Sequence, residues 1–270
     1  MSLPSFLLLF AGGCLAGTLG TVLGIGGGLF LIPFLVLVVG IPMHQAIATS
    51  IIAVIATSST GASIFLERGV VNVRLGVLLE VATVIGAIAG GLTANLLSGA
   101  LLTKFFATIL LVTALLMIPR MRNNRVREQS RSDGALSASF TDDASGENVR
   151  YTVNRIPGTM AISLLAGNIS GLLGIGGGIF KVPAMHLLSG VPIKVAAATS
   201  NFMIGVTAAA SAFIYFSHGH LNPALASSAT LGVLGGSIVG TQISKRINSR
   251  ALVRVFVLVL LLLSAQMYLR

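Results

Sequence analysis

The chain has 270 residues, of which 54% are hydrophobic and only 9% are charged, and its mean hydropathy is +0.96. This composition lies well outside that of soluble globular domains and predicts a polytopic membrane protein. A formal net charge of +10 would favour nucleic-acid binding in a soluble protein, but in a membrane protein it reflects Lys and Arg in cytoplasmic loops, so no nucleic-acid partner is expected.

The first apolar segment lies near residues 5–23. A secretory signal peptide opens with a positively charged region, which the sequence MSLPSFLLLF lacks. The apolar stretch also continues directly into a glycine-rich run. We therefore expect an uncleaved transmembrane helix at this position.

The second half of the chain repeats the first at a constant offset of 150 residues. LGIGGGLFLIP at residues 23–33 returns as LGIGGGIFKVP at residues 173–183. Other identical pairs are Gly17/Gly167, Gly40/Gly190, Pro42/Pro192, Thr49/Thr199, Ser50/Ser200, Asn72/Asn222, Gly86/Gly236 and Gly90/Gly240. Because the offset does not change, helix and loop lengths match, and we predict two homologous transmembrane repeats, residues 1–119 and 155–270.

A polar segment, residues 120–154, separates the two repeats. It is rich in Arg, Ser, Asp and Asn and contains few apolar side chains. Such a composition cannot bury enough apolar surface to form a core, so we expect a flexible basic linker.

Each repeat contains five apolar segments. They lie near 5–23, 28–40, 45–66, 74–97 and 101–119, and near 155–173, 178–190, 195–216, 224–244 and 251–269. A span needs about 20 residues, so the second segment of each repeat, which contains a proline, is too short to cross comfortably as one straight helix. Fusing it with the first segment would give a helix about 58 Å long against about 30 Å of hydrocarbon.

The distribution of basic residues favours the same count. With five segments per repeat, the second repeat is inverted, and the linker and the basic cluster at 245–254 both lie in the cytoplasm. Four segments per repeat would place that cluster outside. The sequence thus predicts an all-α protein of about ten segments in the plasma membrane, a five-plus-five inverted repeat with Gly/Pro-broken short helices, a cytoplasmic linker and both termini extracytoplasmic.

The two glycine runs are the first candidate site. Inverted repeats with interrupted helices are typical of secondary transporters, which bind substrate at the breaks. The glycines concerned are Gly24, Gly26, Gly27 and Gly28, and Gly174, Gly176, Gly177 and Gly178. Free amides and the positive dipole end of the following helix suit an anion. The alternative is that the glycines only permit tight helix crossings.

Polar side chains open the third segment of each repeat. They are Thr49 and Ser50 in the first repeat and Thr199, Ser200 and Asn201 in the second. These groups are candidates to donate hydrogen bonds to an oxyanion. Hydroxyls in membrane helices also bond to their own backbone, which is the alternative.

Two charged residues, Glu80 and Lys181, lie deep in apolar segments. An ionisable residue there costs about 2.5–3.5 kcal/mol to insert and is a functional candidate by default. Lys181 follows Gly178 by three residues, so we place it at the anion site, with snorkelling to the surface as the alternative. Glu80 follows Arg74 by six residues, and we interpret it as a solvated or Arg-paired carboxylate, with a proton relay as the alternative.

Motifs for other chemistry are lacking in the sequence. The histidines, His44, His186, His218 and His220, are scattered, so we predict no metal site, and we expect no cofactor. Neither a nucleophile with its base nor an H-E-x-x-H motif is present, and there is no nucleotide-binding motif. We therefore predict neither an enzyme nor an ATP-driven pump.

The paired G-x-G-G-G-x-x-x-x-P runs, Gly24–Pro33 and Gly174–Pro183, are each followed by Thr-Ser. They resemble the TauE/SafE sulfite exporter family, also called the toluene sulfonate uptake permeases, over both repeats. The resemblance implies a permease for sulfite, sulfonates or related organosulfur anions. The expected partners are the anion, lipid and a proton as candidate coupling ion, and the alternative function is an anion channel or another non-enzymatic membrane protein.

Overall fold

The computed structural model describes residues 3–23, 27–117, 136–141, 148–244 and 249–269. These residues are mostly helical, as predicted. In chain order the elements are α1 (Leu3–Leu23), α2 (Gly28–Pro33), a π-helix (Phe34–Val39), α3 (Met43–Glu67), α4 (Val73–Leu96), α5 (Gly99–Met117), β1 (Ala138–Thr141), β2 (Asn148–Tyr151), α6 (Ile156–Leu173), α7 (Gly178–Leu187), α8 (Ile193–Ser217), α9 (Pro223–Ser244) and α10 (Ser249–Leu269).

Six of the described helices are long and apolar enough to span a membrane. They are α1, α3, α4, α6, α8 and α9. Shorter apolar helical stretches cover Gly28–Val39, Gly99–Leu115 and Val257–Leu269. Large apolar side chains such as Leu165, Phe213 and Leu231 are more than half exposed, as expected where lipid covers the surface. The chain is a mostly helical multi-pass membrane protein.

The two short helices follow the glycine runs. Helix α2 has six residues and continues after Pro33 as the π-helix, which ends at Gly40 with a positive φ of 77°. Helix α7 has ten residues and contains Pro183. Both are too short to span about 30 Å of hydrocarbon as α-helices, in agreement with the sequence prediction.

Helices of the two repeats pack in matching pairs. Helix α1 packs against α9 and α6 packs against α4, while α3 packs against α8 and α5 against α10. Glycines make the first two contacts close, because a methyl group at Gly17 would overlap the Val233 carbonyl oxygen and one at Gly167 would overlap that of Thr83. The contact between α4 and α6 therefore reproduces the one between α9 and α1 at an offset of 150 residues.

Helices α3 and α8 run antiparallel. The first turn of α3 meets the loop after α8, where the rings of His44 and His220 stack at 4.8 Å. At the other end, the backbone N–H of Asn72, in the loop after α3, donates to Thr199 Oγ1 of α8 at 3.0 Å. These two helices, which are equivalent in the sequence repeat, therefore run in opposite directions.

Part of the polar linker is folded, which corrects the expectation of a flexible loop over 120–154. Strands β1 and β2 pair antiparallel, and Phe140, Tyr151 and Val153 pack with Leu75 and Met185 of the helices. The overall polar composition of the linker gave no sign that these few apolar side chains are buried. They pack into the core of the helix bundle and do not form a separate core. Residues 118–135 and 142–147 lie outside the described part of the chain.

Candidate functional site

The glycine run of the second repeat has left-handed backbone between α6 and α7. Gly174, Gly176 and Gly177 have φ values of 67°, 79° and 69°, and Gly178 is the first residue of α7. Residues that carry a side chain rarely adopt this left-handed backbone geometry. These glycines therefore have a conformational role besides any packing role.

In the first repeat, the structure describes two of the four predicted glycines. Gly27 precedes α2 with an ordinary φ of −69°, and Gly28 is the first residue of α2. The predicted site residues Gly24 and Gly26 lie outside the described residues.

The two glycine runs meet inside the protein, at Gly28 and Gly174. A methyl group at Gly28 would lie 2.9 Å from the Gly174 carbonyl oxygen and 2.6 Å from Ser50 Oγ. The Ser50 hydroxyl itself donates to the Gly174 carbonyl oxygen at 2.9 Å. In the second repeat, Ser200 Oγ lies 3.3 Å from the position a methyl group would take at Gly178. The structure therefore brings both runs together with one serine from each repeat.

The remaining predicted hydroxyl and amide groups divide into two sets. Thr49 Oγ1 and Ser200 Oγ are buried and have no hydrogen-bond partner in the described part of the chain. Thr199 instead accepts the Asn72 N–H, and the Asn201 amide packs against Gly61 of α3. Thr199 and Asn201 therefore contact other elements, whereas Thr49 and Ser200 keep unused polar atoms.

Lys181 is fully buried on α7. Its exposed fraction is 0%, and its Nζ donates to Thr207 Oγ1 of α8 at 3.2 Å. The side chain does not snorkel to the surface. It lies in the first turn of α7, at the positive end of the helix dipole, where a cation without a counter-charge is unfavourable.

Glu80 of α4 completes a chain of three polar side chains. It is 7% exposed, and the Thr207 hydroxyl lies 2.7 Å from Glu80 Oε1 and 3.0 Å from the Met203 carbonyl oxygen, either of which can accept its proton. Arg74 is exposed. The interpretation of Glu80 as a solvated or Arg-paired carboxylate is therefore wrong. We call Glu80, Thr207 and Lys181 the buried charge relay.

Sequence reasoning singled out Glu80 but did not pair it with Lys181, and it missed Thr207. The sequence did contain a signal for this pairing, because the two charged residues deep in apolar segments have opposite signs and a buried charge needs a partner. The repeat could not reveal the pair, since the positions equivalent to Glu80 and Lys181 are Thr230 and Leu31.

One side of α8 connects the glycine run to the buried charge relay. Ser200, Ile204 and Thr207 follow one another at helical spacing, and Ile204 contacts the positions that methyl groups would take at Gly176 and Gly178. Ser200 and Thr207 are about 10 Å apart along the helix axis at 1.5 Å per residue. The free serine hydroxyl and the lysine thus belong to one continuous buried region.

A cavity of about 460 Å³ lies elsewhere, between the end of the π-helix and the starts of α3 and α5. His44, Thr103 and Lys104 are its polar lining residues, and the predicted site residues are not among those that line it. Near it, among the residues the structure describes, no group of three or more His, Cys, Asp or Glu side chains is arranged to hold a metal ion.

Comparison with known proteins identifies the family. The family profile described as "Sulfite exporter TauE/SafE" matches residues 9–267. The chain belongs to the TauE/SafE sulfite exporter family. No solved structure matches it significantly.

Several relatives in this family resemble the chain along most of its length. "Probable membrane transporter protein YunE" of Bacillus subtilis is 28% identical over 270 residues, covering 97% of both chains. A "Probable membrane transporter protein" of Xylella fastidiosa is 26% identical and covers 97% of this chain and 94% of its own. "Sulfite exporter TauE/SafE family protein 5" of Arabidopsis thaliana is 36% identical over 34% of this chain and 20% of its own. TauE/SafE proteins form a membrane transporter family and not an enzyme family.

Proposed function

We propose that this TauE/SafE protein is a secondary transporter in the plasma membrane that carries small anions, namely sulfite, sulfonates or related organosulfur compounds. The observation that carries the proposal is the position of Lys181, a fully buried cation in the first turn of α7. Both burial and the helix dipole disfavour a cation there. An anion bound beside Lys181 compensates its charge and so reduces the unfavourable effects of both burial and the helix dipole.

The remaining groups of the site are arranged around the glycine runs. In the first turn of α7, the amides of Phe180 and Lys181 donate to the Gly177 carbonyl oxygen, whereas those of Gly178 and Ile179 precede the residues that can find an acceptor within a helix. The Ser200 hydroxyl beside them is buried and has no hydrogen-bond partner among the described residues. Substrate binding is assigned to Gly24, Gly26, Gly27, Gly28, Thr49, Ser50, Gly174, Gly176, Gly177, Gly178, Lys181 and Ser200. Thr199 and Asn201 are held elsewhere and support the fold around this site.

The transport cycle we propose uses a ten-segment inverted repeat. The antiparallel contact of α3 with α8 and the matching helix pairs α1 with α9 and α6 with α4 support it. The linker then lies in the cytoplasm and both termini lie outside. Inverted repeats of this kind give alternating access when one set of helices moves against the other around a central site.

Flux into proteoliposomes tests the function. The purified protein should import radiolabelled sulfite and methanesulfonate with saturable kinetics. Lys181→Met should abolish flux of both, because the binding site loses its cation. The matched control is Lys194→Met, which removes an exposed lysine of α8 and should leave flux unchanged. Flux that does not saturate would identify a channel. Wild-type flux by Lys181→Met would show that Lys181 does not bind the anion.

A further inference from the structure

We propose that Glu80 binds the proton that allows Lys181 to hold an anion, so that one proton enters the site with each anion. This inference rests on the proposed function, because it takes Lys181 as the cationic partner of the anion. Its basis is the buried charge relay, in which side chains from α4, α8 and α7 are connected inside the protein.

The relay holds two opposite charges with little access to solvent. Lys181 Nζ donates to Thr207 Oγ1 at 3.2 Å, and the Thr207 hydroxyl donates to Glu80 Oε1 at 2.7 Å. A buried charge is costly unless an opposite charge compensates it. In this arrangement Glu80 compensates Lys181, so an entering anion would have to compete with the Glu80 carboxylate.

Glu80 keeps one oxygen available for a proton. Oε2 is buried and has no hydrogen-bond partner among the described residues. A proton from water that bonds to Oε2 converts the carboxylate to a neutral carboxylic acid. The hydrogen bond between Thr207 and Oε1 is kept, and the net charge of the relay changes from zero to plus one.

Protonation therefore leaves Lys181 without a counter-ion. An ammonium group has three N–H donors, and the described hydrogen bonds use one of them, to Thr207. A monoanion that binds to the other donors restores a net charge of zero. When the proton leaves, the carboxylate displaces the anion. By thermodynamic linkage, each of the two ligands then strengthens binding of the other.

Other titratable groups are farther along the neighbouring elements. Helix α4 packs against α6, which has no titratable side chain, and against α8. Among the described residues, the other such groups on α4, α7, α8 and the two strands are Arg74, His186, Lys194, Tyr215, Arg150 and Tyr151. Those on the helices are five or more residues from the relay, at least about 7 Å along the axis, and the Tyr151 hydroxyl binds Asn72. Lys181 is the charged group that hydrogen bonds connect to Glu80, through Thr207.

The test uses purified full-length protein and methanesulfonate, a strong-acid anion whose own charge does not change with pH. Between about pH 5 and about pH 8, the wild-type affinity should fall about tenfold per pH unit on its alkaline side, with uptake of about one proton per anion bound. Glu80→Gln keeps an oxygen for Thr207 and resembles the protonated acid. It should bind methanesulfonate with an affinity independent of pH and take up no proton.

Glu67→Gln is the matched control, because it removes an exposed glutamate of α3 and should behave as wild type. A folded Glu80→Gln protein that keeps the wild-type pH dependence would overturn the inference and leave anion transport standing. If Glu80→Gln does not fold, proton uptake by the wild-type protein provides the test. Methanesulfonate binding without proton uptake would also overturn the inference. Absence of sulfite and methanesulfonate binding by wild type at every pH would instead refute the proposed function.

Discussion

Gly86 and Gly236, which are 150 residues apart, make the same contact in the two repeats. A methyl group at Gly86 would overlap the carbonyl oxygen of Leu164, and one at Gly236 would overlap that of Cys14. Leu164 and Cys14 are themselves 150 residues apart. Because the nearest atom is backbone in both cases, neither contact can adjust by a change of side-chain rotamer.

The α1/α9 crossing provides a test with adjacent glycines. Gly236→Ala should lower the free energy of unfolding by about 1–3 kcal/mol through overpacking. Gly235→Ala, whose methyl group would lie 3.8 Å from Cys14 Sγ, should keep or slightly raise stability. The measurement is the melting temperature of the two purified variants in detergent. Equal melting temperatures would show that the crossing can open without cost.

A second prediction separates the anion site from backbone strain. Gly176→Ala and Gly219→Ala both force alanine to a positive φ, near 79° and 71°, but Gly219 has open space around it. Both variants should lose about 1–2 kcal/mol of stability from the left-handed conformation. Only Gly176→Ala should also lose methanesulfonate binding.

The packing explanation of Gly176 makes a different prediction. The methyl group of Gly176→Ala would lie 2.9 Å from Ile204 Cγ2, so a second substitution, Ile204→Ala, would relieve that contact. Recovery of stability together with anion binding in the double variant would support a packing role. If Gly176 instead forms part of the anion site, the double variant should not recover anion binding, whether or not it recovers stability. Isothermal titration with methanesulfonate and thermal unfolding measure the two properties.

A third prediction concerns pH at the end of the bundle where α3 begins. Burial and the nearby imidazoles of His44 and His218 lower the pKa of His220, whose Nε2 lies 2.9 Å from Asn95 Oδ1. Since the unfolded chain has a histidine pKa of about 6.5, it binds more protons than the folded protein just below that value. Stability is therefore complete above about pH 6.5 and falls as the pH drops towards the folded pKa.

The variant His220→Gln checks this assignment. The glutamine can donate to Asn95 but does not titrate, so the loss of stability below about pH 6.5 should become smaller. Melting temperatures of both proteins across this pH range give the comparison. An unchanged pH slope in His220→Gln would assign the effect to other groups.

A fourth prediction tests how the hairpin is attached to the bundle. The Asn72 side-chain N–H₂ donates to Tyr151 Oη at 3.1 Å, and Asn72 Oδ1 accepts the Leu75 N–H at the start of α4. Tyr151→Phe should cost about 1–3 kcal/mol, because it removes an acceptor from a buried donor. The control is Tyr268→Phe, at a residue 47% exposed, which should change the melting temperature little. Equal losses would show that the contact with Asn72 adds no stability.

The helices of this protein could be predicted closely from sequence. The helix α3, at Met43–Glu67, and its equivalent α8, at Ile193–Ser217, lie within a few residues of the predicted segments. Apolar length and the constant offset determine such boundaries, and both can be read directly from the sequence. The strands β1 and β2 were missed because their stability comes from contact with distant helices and not from their own composition.

The candidate site could be predicted only in part. The proximity of Ser50 to Gly28 and of Ser200 to Gly178 agrees with the repeat, because both pairs occupy equivalent positions at the offset of 150 residues. The contact of Glu80 with Thr207 breaks that symmetry. Residue spacing within α4 and α8 gives the face of each helix but not the relative height of the two helices. The pairing of the deep charges therefore required the structure.

The packing of α1 against α9 has a consequence for synthesis of the protein. The glycine face of α1, with Gly13 and Gly17, fits the backbone of α9 at Ala229 and Val233. Helix α9 begins at Pro223, and at about 5–20 residues per second it leaves the ribosome about 10–40 s after α1. During that interval the groove on α1 faces lipid or the insertion machinery. The first repeat therefore cannot complete its tertiary structure until most of the second repeat has been made.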